Sequence, residues 1–207
     1  SSTSLQKVSY LQPIDDVENN SSFVINAWYQ KHLWLYLLLP FSWIFTFLTN
    51  RRRRKYLKNQ ISSFKTDTPV VVIGNINIGG TGKTPLVKYI ASKLIERGLK
   101  VGIVSRGYGG VEKTNVLIKE WHSAKSVGDE SLLLAEIAPT WIGQDRNKSF
   151  ILAKEKGADC IIMDDGFQNS ALQKDFSIIV INGEQGFGNK RVIPSGPLRE
   201  SISSGIS

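Results

Sequence analysis

The first chemistry in the chain lies between Gly74 and Pro85, in the stretch GNINIGGTGKTP. Its close, Gly82-Lys83-Thr84, is that of a phosphate-binding loop: backbone N–H groups cradle phosphates, the lysine reaches the β- and γ-phosphates, and the hydroxyl holds Mg2+. The start departs from G-x-x-x-x-G-K-[ST], because Asn77 stands where the first glycine belongs. Gly79, Gly80, Thr81 and Gly82 still give a tight backbone, so a nucleotide site is expected there, with Lys83 as nucleotide-binding and catalytic candidate and Thr84 as metal ligand. A glycine turn without ligand is the bland alternative.

Three further stretches could complete such a site. CIIMDD (160–165) is an apolar run ending in acid, as in a strand that presents a carboxylate to Mg2+ at a sheet edge. Asp164 holds the usual position. Adjacent carboxylates at a strand end diverge, so only one of Asp164 and Asp165 need touch the metal. In SVGDES, Asp129 or Glu130 could cap the helix that follows; alternatively one of them is a base for an acceptor hydroxyl and its neighbour assists the metal. SRGYGG and GQDR place Arg106 and Arg146 just after predicted strands, where a guanidinium can bind a γ-phosphate or an anionic substrate, or simply brace the surface.

These residues require a scaffold, and the pattern from Pro69 onward supplies one. Val70–Asn75 reads as a buried strand, Thr84–Arg97 as a helix stopped by Gly98, and VGIVS as a second strand. A helix is expected over Ser131–Ile137, a short strand in PTWIG and a helix over Lys148–Lys156. CIIMDD and SIIVIN are two more strands. Alternating strands and helices imply an α/β fold of the P-loop NTPase type, a parallel sheet with right-handed crossovers flanked by helices.

Ahead of this domain, assigned to 69–207, lie two other regions. Residues 1–22 are polar, without apolar periodicity, and read as a mobile tail. Residues 23–58 hold LWLYLLLPFSWIFTFLTN, 18 residues without a formal charge, followed by RRRRK at 51–55. Pro40 would kink or break a helix there. Scattered aromatics beside a basic run fit a segment lying on an anionic membrane surface; a span and internal packing are the alternatives. Arginines rather than a small-residue cleavage site follow the apolar stretch, which excludes a cleavable signal peptide. A membrane surface contact through residues 28–55 is therefore expected.

The net charge of +8 also belongs mostly to this run, since Arg51–Lys55 supplies five charges and leaves +3 for the rest. With no RNA-binding or zinc-finger motif beside it, nucleic acid is not an expected partner. Cys160 is the single cysteine, which excludes an internal disulfide and a cysteine metal cluster. His32 and His122 lie far apart and suggest no metal site.

NKSF at 147–150 lacks the aspartate of a guanine reader, and Ile78 stands where a partitioning ATPase has its signature lysine. Taken in order, VVVIGNINIGGTGKTP, SRGYGG, VGDE, DDGFQ and GFGNKRVIPSGPLRE, after an apolar aromatic segment and a basic run, resemble the tetraacyldisaccharide 4′-kinase family of Gram-negative bacteria. The resemblance covers about Ala27 to Glu200. It implies ATP- and Mg2+-dependent phosphorylation of the 4′-hydroxyl of tetraacyldisaccharide 1-phosphate, a lipid A precursor, to give lipid IVA. It also implies a peripheral or monotopic enzyme on the cytoplasmic face of the inner membrane. It further implies Asp129 as base, Glu130, Asp164 and Asp165 at the metal, and Arg199 and Glu200 near the nucleotide; Arg106, Tyr108 and Arg146 are the substrate-binding candidates.

Three departures follow: Asn169 where the family usually has His, Ser131 where Pro is common, and no match for the second-lobe histidine that partners the catalytic aspartate. The 207 residues alone are therefore expected to bind ATP incompletely and to be a poor catalyst. A membrane-associated regulatory P-loop switch, and a binding module with a vestigial site, are the alternatives from other classes.

Overall fold

The computed structural model describes residues 21–30, 32–57, 66–167 and 174–206; for 21–25, 52–57 and 205–206 it describes the backbone alone. Most of the expected 1–22 tail, Lys58 of the basic segment, and Gln168 and Asn169 lie outside the described residues. Helix α1 (Ser21–Gln30) already begins inside the stretch expected to be tail.

The sheet is built where short β-branched runs sit between turn residues. Strands β1 (Val70–Gly74), β2 (Val101–Ser105), β3 (Val116–Leu117), β4 (Thr140–Ile142), β5 (Cys160–Asp164) and β6 (Phe176–Ile179) stand in the order β3-β4-β2-β5-β1-β6. All pairings are parallel except β3 with β4. This antiparallel edge corrects the expectation of a wholly parallel sheet. Two residues carry no periodicity, so β3 exists only through its pairing with Trp141 and Ile142.

Helices α3 (Lys83–Glu96) and α5 (Asp129–Ala135) cover one face, with Val87, Ala91 and Leu134 buried against Ile73, Ile103 and Ile162. Helix α6 (Arg146–Glu155) covers the other, with Phe150 and Ala153 against Val72, Val104, Ile161 and Met163. Both faces of the central strands are thus buried, which is why they read as unbroken apolar runs. Each such aliphatic side chain contributes about 1.5–3 kcal/mol by leaving water. Short helices α4 (Ala124–Val127) and α7 (Ile202–Ile206) complete the described elements.

The apolar segment is a 3-10 helix of two turns at Leu33–Leu38 followed by α2 (Leu39–Leu57). Pro40 sits in the first turn of α2, where its missing N–H leaves no bond unmade. Leu33–Arg51 is long and apolar enough to cross a membrane by length and composition, with a mean hydropathy of 1.4. Its two sides differ in an unusual sense. The inner side of α2 is Ser42, Phe45, Thr46, Thr49 and Asn50, whereas Phe41, Trp43, Ile44, Phe47 and Leu48 are exposed. Leu35 is fully buried with Ala27 and Trp28 against Ile78 and Ile193, so the segment is docked on the domain.

Candidate active site

β1 ends at Gly74 and delivers Asn75–Gly82 to the N-terminus of α3. Gly82 takes φ +77 at the N-cap, a left-handed turn that suits glycine. A Cβ placed on Gly79, Gly80 or Gly82 would meet no atom within 4 Å, so this side of the loop is open to a ligand while α3 points its free N–H groups at it. Asn75 steadies the loop from below, its Nδ2 donating to Thr81 Oγ1 at 3.1 Å and to the Gly79 carbonyl at 3.4 Å. Asn77, the residue in place of the first glycine, is buried and donates through Nδ2 to the Gly186 carbonyl at 2.7 Å. The substitution that looked anomalous in sequence is a tether to a distant loop.

β5 pairs with β1 in a register that sets Asp164 beside Ile73, directly under the start of this loop. Asp164 is only 4% exposed. Its Oδ2 accepts from Ser105 Oγ at 3.1 Å, and Ser131 Oγ donates to Ser105 Oγ at 3.4 Å. Burial pushes the Asp164 carboxyl up to about 6; the Ser105 hydrogen bond opposes this, and the charges of Asp165 and Glu130 add to it.

Asp165 has a different environment, because its backbone turns into the left-handed region at φ 53. Arg199 Nη1 donates to both of its oxygens, at 3.1 and 2.9 Å, and Lys83 Nζ lies 3.8 Å away. Burial alone would raise its pKa. The charge and hydrogen bonds of Arg199, with Lys83 and Arg146, instead hold the carboxyl below its ordinary value.

Of the predicted residues, the structure therefore brings together Lys83, Asp164, Asp165, Arg146 and Arg199, with Thr84 in the first turn of α3. Arg146 is buried and donates from Nη1 to the Asp165 carbonyl at 2.6 Å, so it braces the acidic turn from inside. Burial and the neighbouring Arg106 push its pKa down, opposed by the two aspartates. Asp129 and Glu130 are exposed in the first turn of α5. Glu200 is half-buried beside Arg199 in sequence.

Arg106 and Tyr108 line a groove of about 390 Å³ with Gly107, Gly109, Glu112, Lys113 and Gln144. The two loops that carry Arg106 and Asp129 are zipped together: Val111 and Glu112 N–H groups donate to the Lys125 and Ser126 carbonyls at 3.2 and 2.9 Å. Between them sits Gly128, at φ +88, where a Cβ would fall 2.2 Å from the Tyr108 carbonyl oxygen.

Sequence reasoning missed Asn75, Ser105 and Ser131. Each is a small polar residue at the edge of an apolar run, and that position was the available signal.

The donor set suits a hard cation. Asp164 Oδ1 is buried and has no hydrogen-bond partner among the described residues, and Thr84 supplies a hydroxyl in the first turn of α3. No group of three or more metal-ligating side chains occurs among the described residues. This fits Mg2+, which takes one or two protein oxygens and fills its shell with phosphates and water.

The model of the family described as tetraacyldisaccharide-1-P 4′-kinase matches residues 34–207. The tetraacyldisaccharide 4′-kinase of Gluconobacter oxydans is 48% identical over 172 residues, covering 83% of this chain and 51% of that protein. That of Psychrobacter cryohalolentis is 39% identical over 190 residues, covering 89% and 51%. A crystal structure of LpxK from Aquifex aeolicus in complex with ATP is 33% identical, with a TM-score of 0.74 over 84% of this chain and 56% of that one. The chain spans about half the length of the curated relatives it matches. With the family model matching residues 34–207 and relatives at 39–48% identity, the chain belongs to the tetraacyldisaccharide-1-P 4′-kinase family.

Proposed function

We propose that the protein is an ATP-dependent lipid kinase that phosphorylates the 4′-hydroxyl of tetraacyldisaccharide 1-phosphate at the cytoplasmic face of the inner membrane, giving lipid IVA. One observation carries the reading. The segment that turns its aromatic side outward, Leu33–Asn50, is docked against the loop 186–199, which also holds Asn77 and Ile78 of the phosphate-binding loop. A phosphoryl-transfer site is thereby built beside a surface suited to lipid.

The residues divide the work as follows. Loop N–H groups and Lys83 hold the β- and γ-phosphates, and Arg199 stands within reach of the same charge. Thr84 and Asp164 would hold Mg2+, with Glu130 nearby; the bound ion would neutralise charge on the transferring phosphoryl group. Asp129 takes the proton of the acceptor hydroxyl. That oxygen bonds to the γ-phosphorus, the bond from phosphorus to the bridging oxygen breaks, and ADP leaves with its new charge held by Lys83 and the loop. Arg106, Lys113 and Tyr108 line the groove next to Asp129, where an anionic acceptor can be oriented. On the membrane side, the exposed aromatics of α2 enter the headgroup layer, and Arg51 at the end of the apolar run faces anionic lipid.

The test uses the complete open reading frame in detergent micelles with γ-labelled ATP, Mg2+ and tetraacyldisaccharide 1-phosphate. Label should move to the lipid, and Lys83→Ala and Asp129→Asn should each reduce transfer by about 10²-fold or more. Free phosphate formed without labelled lipid would overturn the reading in favour of a nucleotide-hydrolysing switch.

A further inference from the structure

Ser42 is a polar residue in an apolar segment, and it is 4% exposed. Its hydroxyl donates to the Val192 carbonyl at 2.8 Å and accepts from the Ser195 N–H at 3.0 Å. Ser195 in turn donates from its own hydroxyl to the Leu35 carbonyl at 2.8 Å, and Trp28 Nε1 donates to the Pro194 carbonyl at 3.0 Å. Residues 192–195 are therefore pinned to the apolar segment from one side.

The same loop is pinned to the phosphate-binding loop from the other side. Ile78 N–H donates to the Pro197 carbonyl at 2.8 Å, and Arg199 N–H donates to the Ile76 carbonyl at 2.7 Å. Between the two sets of contacts the loop is internally braced. Ile193 N–H donates to Leu198, Leu198 N–H to Arg191, and Asn189 Nδ2 to Ser195, at 2.9, 3.1 and 2.8 Å. Beyond it, the Arg199 side chain grips Asp165, which also faces Lys83. The route from Ser42 to Ile76–Ile78 and to Lys83 is thus continuous in hydrogen bonds and ion pairs.

A buried helix face needs only shape to pack, and an alanine would supply that. A hydroxyl that satisfies one backbone donor and one backbone acceptor of a loop about 150 residues away acts on the position of that loop. The first half of the phosphate-binding loop has no regular structure to fix it, so its backbone geometry is inherited from residues 192–199.

We propose that Ser42 is a positioning residue for the nucleotide site, acting through the strut 192–199 on Ile76–Ile78 and Arg199. The inference rests on the reading of Asn75–Thr84 as the ATP loop. It assigns the apolar segment a second task, setting the affinity for nucleotide.

The experiment measures binding of a fluorescent ATP analogue, and KM and kcat for ATP, in the complete protein in micelles. Ser42→Ala should raise the dissociation constant and KM by about tenfold, the scale of one lost hydrogen-bond clamp, and leave kcat within about twofold. Ser42→Thr, which keeps the hydroxyl, should restore both. Ser195→Ala removes only the bond to Leu35 and should shift KM in the same direction by less, which keeps the question open to test if Ser42→Ala fails to fold. A merely structural role would lower kcat through a smaller active fraction and leave KM unmoved, and that result overturns the proposal. So does a Ser42→Ala enzyme with wild-type values while Lys83→Ala loses nucleotide. If Lys83→Ala binds the analogue as well as wild type does, the ATP reading itself fails, and this inference falls with it.

Discussion

The Asp164 carboxylate is enclosed at the end of β5, with one oxygen on Ser105 and the other without a partner among the described residues. Its pKa of about 6 therefore reflects the cost of burying a charge. The folded pKa lies above the unfolded value of 3.8, so the native state binds the extra proton between these values. The penalty is full above about pH 6 and fades as pH falls toward 4. Asp164→Asn removes the charge at constant shape. In EDTA, it should stabilise the protein by about 2–3 kcal/mol at pH 7, with the gap shrinking by pH 5, while phosphoryl transfer is lost. Denaturant unfolding of both proteins at the two pH values checks this; a gap that does not change with pH would mean that burial is not its source. At Asp165, one residue later, burial exacts the same kind of penalty, but Arg199 and Lys83 more than offset it. In the sequence Asp164 held the usual position with Asp165 beside it, and the left-handed turn at Asp165 is what gives the two acids different partners.

At the scale of elements, the loops that carry Arg106 and Asp129 depend on contacts between backbones. Gly128 joins α4 to α5 at φ 88, ψ 142, a region open essentially to glycine, with the Tyr108 carbonyl where a side chain would start. Gly128→Ala should cost about 1–3 kcal/mol in urea unfolding and also lower kcat, since Asp129 follows directly. Gly157→Ala, at φ +81 with open space around it, is the control and should cost about 1 kcal/mol with kcat unchanged.

The strands, the loop and the helices of this domain were legible because each is a local pattern of about five to fifteen residues. β1, β2 and β5 fall where their apolar runs predict, and α3 ends at the expected Gly98. β3 was illegible, being two residues defined by a partner strand. So were the burial of Arg146 and the tether from Asn77 to Gly186, because both join residues that only the folded topology makes neighbours.

Taken whole, the molecule has one region with its polarity reversed. Phe41, Trp43, Ile44, Phe47 and Leu48 face outward, while Ser42 and Phe45 meet the domain and the Thr46 and Thr49 hydroxyls are turned back onto carbonyls of their own helix. The composition of the segment was plain in the sequence, but which side would dock was not, because the partners are residues 187–198. Trp43 and Phe47 are 70% and 66% exposed. If they enter lipid, each contributes about 1.5–3 kcal/mol, so Trp43→Ser with Phe47→Ser should weaken vesicle binding by about 10²-fold or more. Flotation with anionic vesicles measures this, and the dissociation constant for ATP should stay at the wild-type value.

The Ser42–Ser195 hydrogen bond spans 153 residues. During synthesis at about 5–20 residues per second, about 8–30 s separate the emergence of the helix from that of its docking loop. Through that interval the polar face of α2 has no partner from its own domain, whereas its aromatic face already has a solvent in any nearby bilayer. If that face enters lipid, the order of events imposed by the ribosome favours a helix that reaches it first and an α/β domain that closes onto it afterwards.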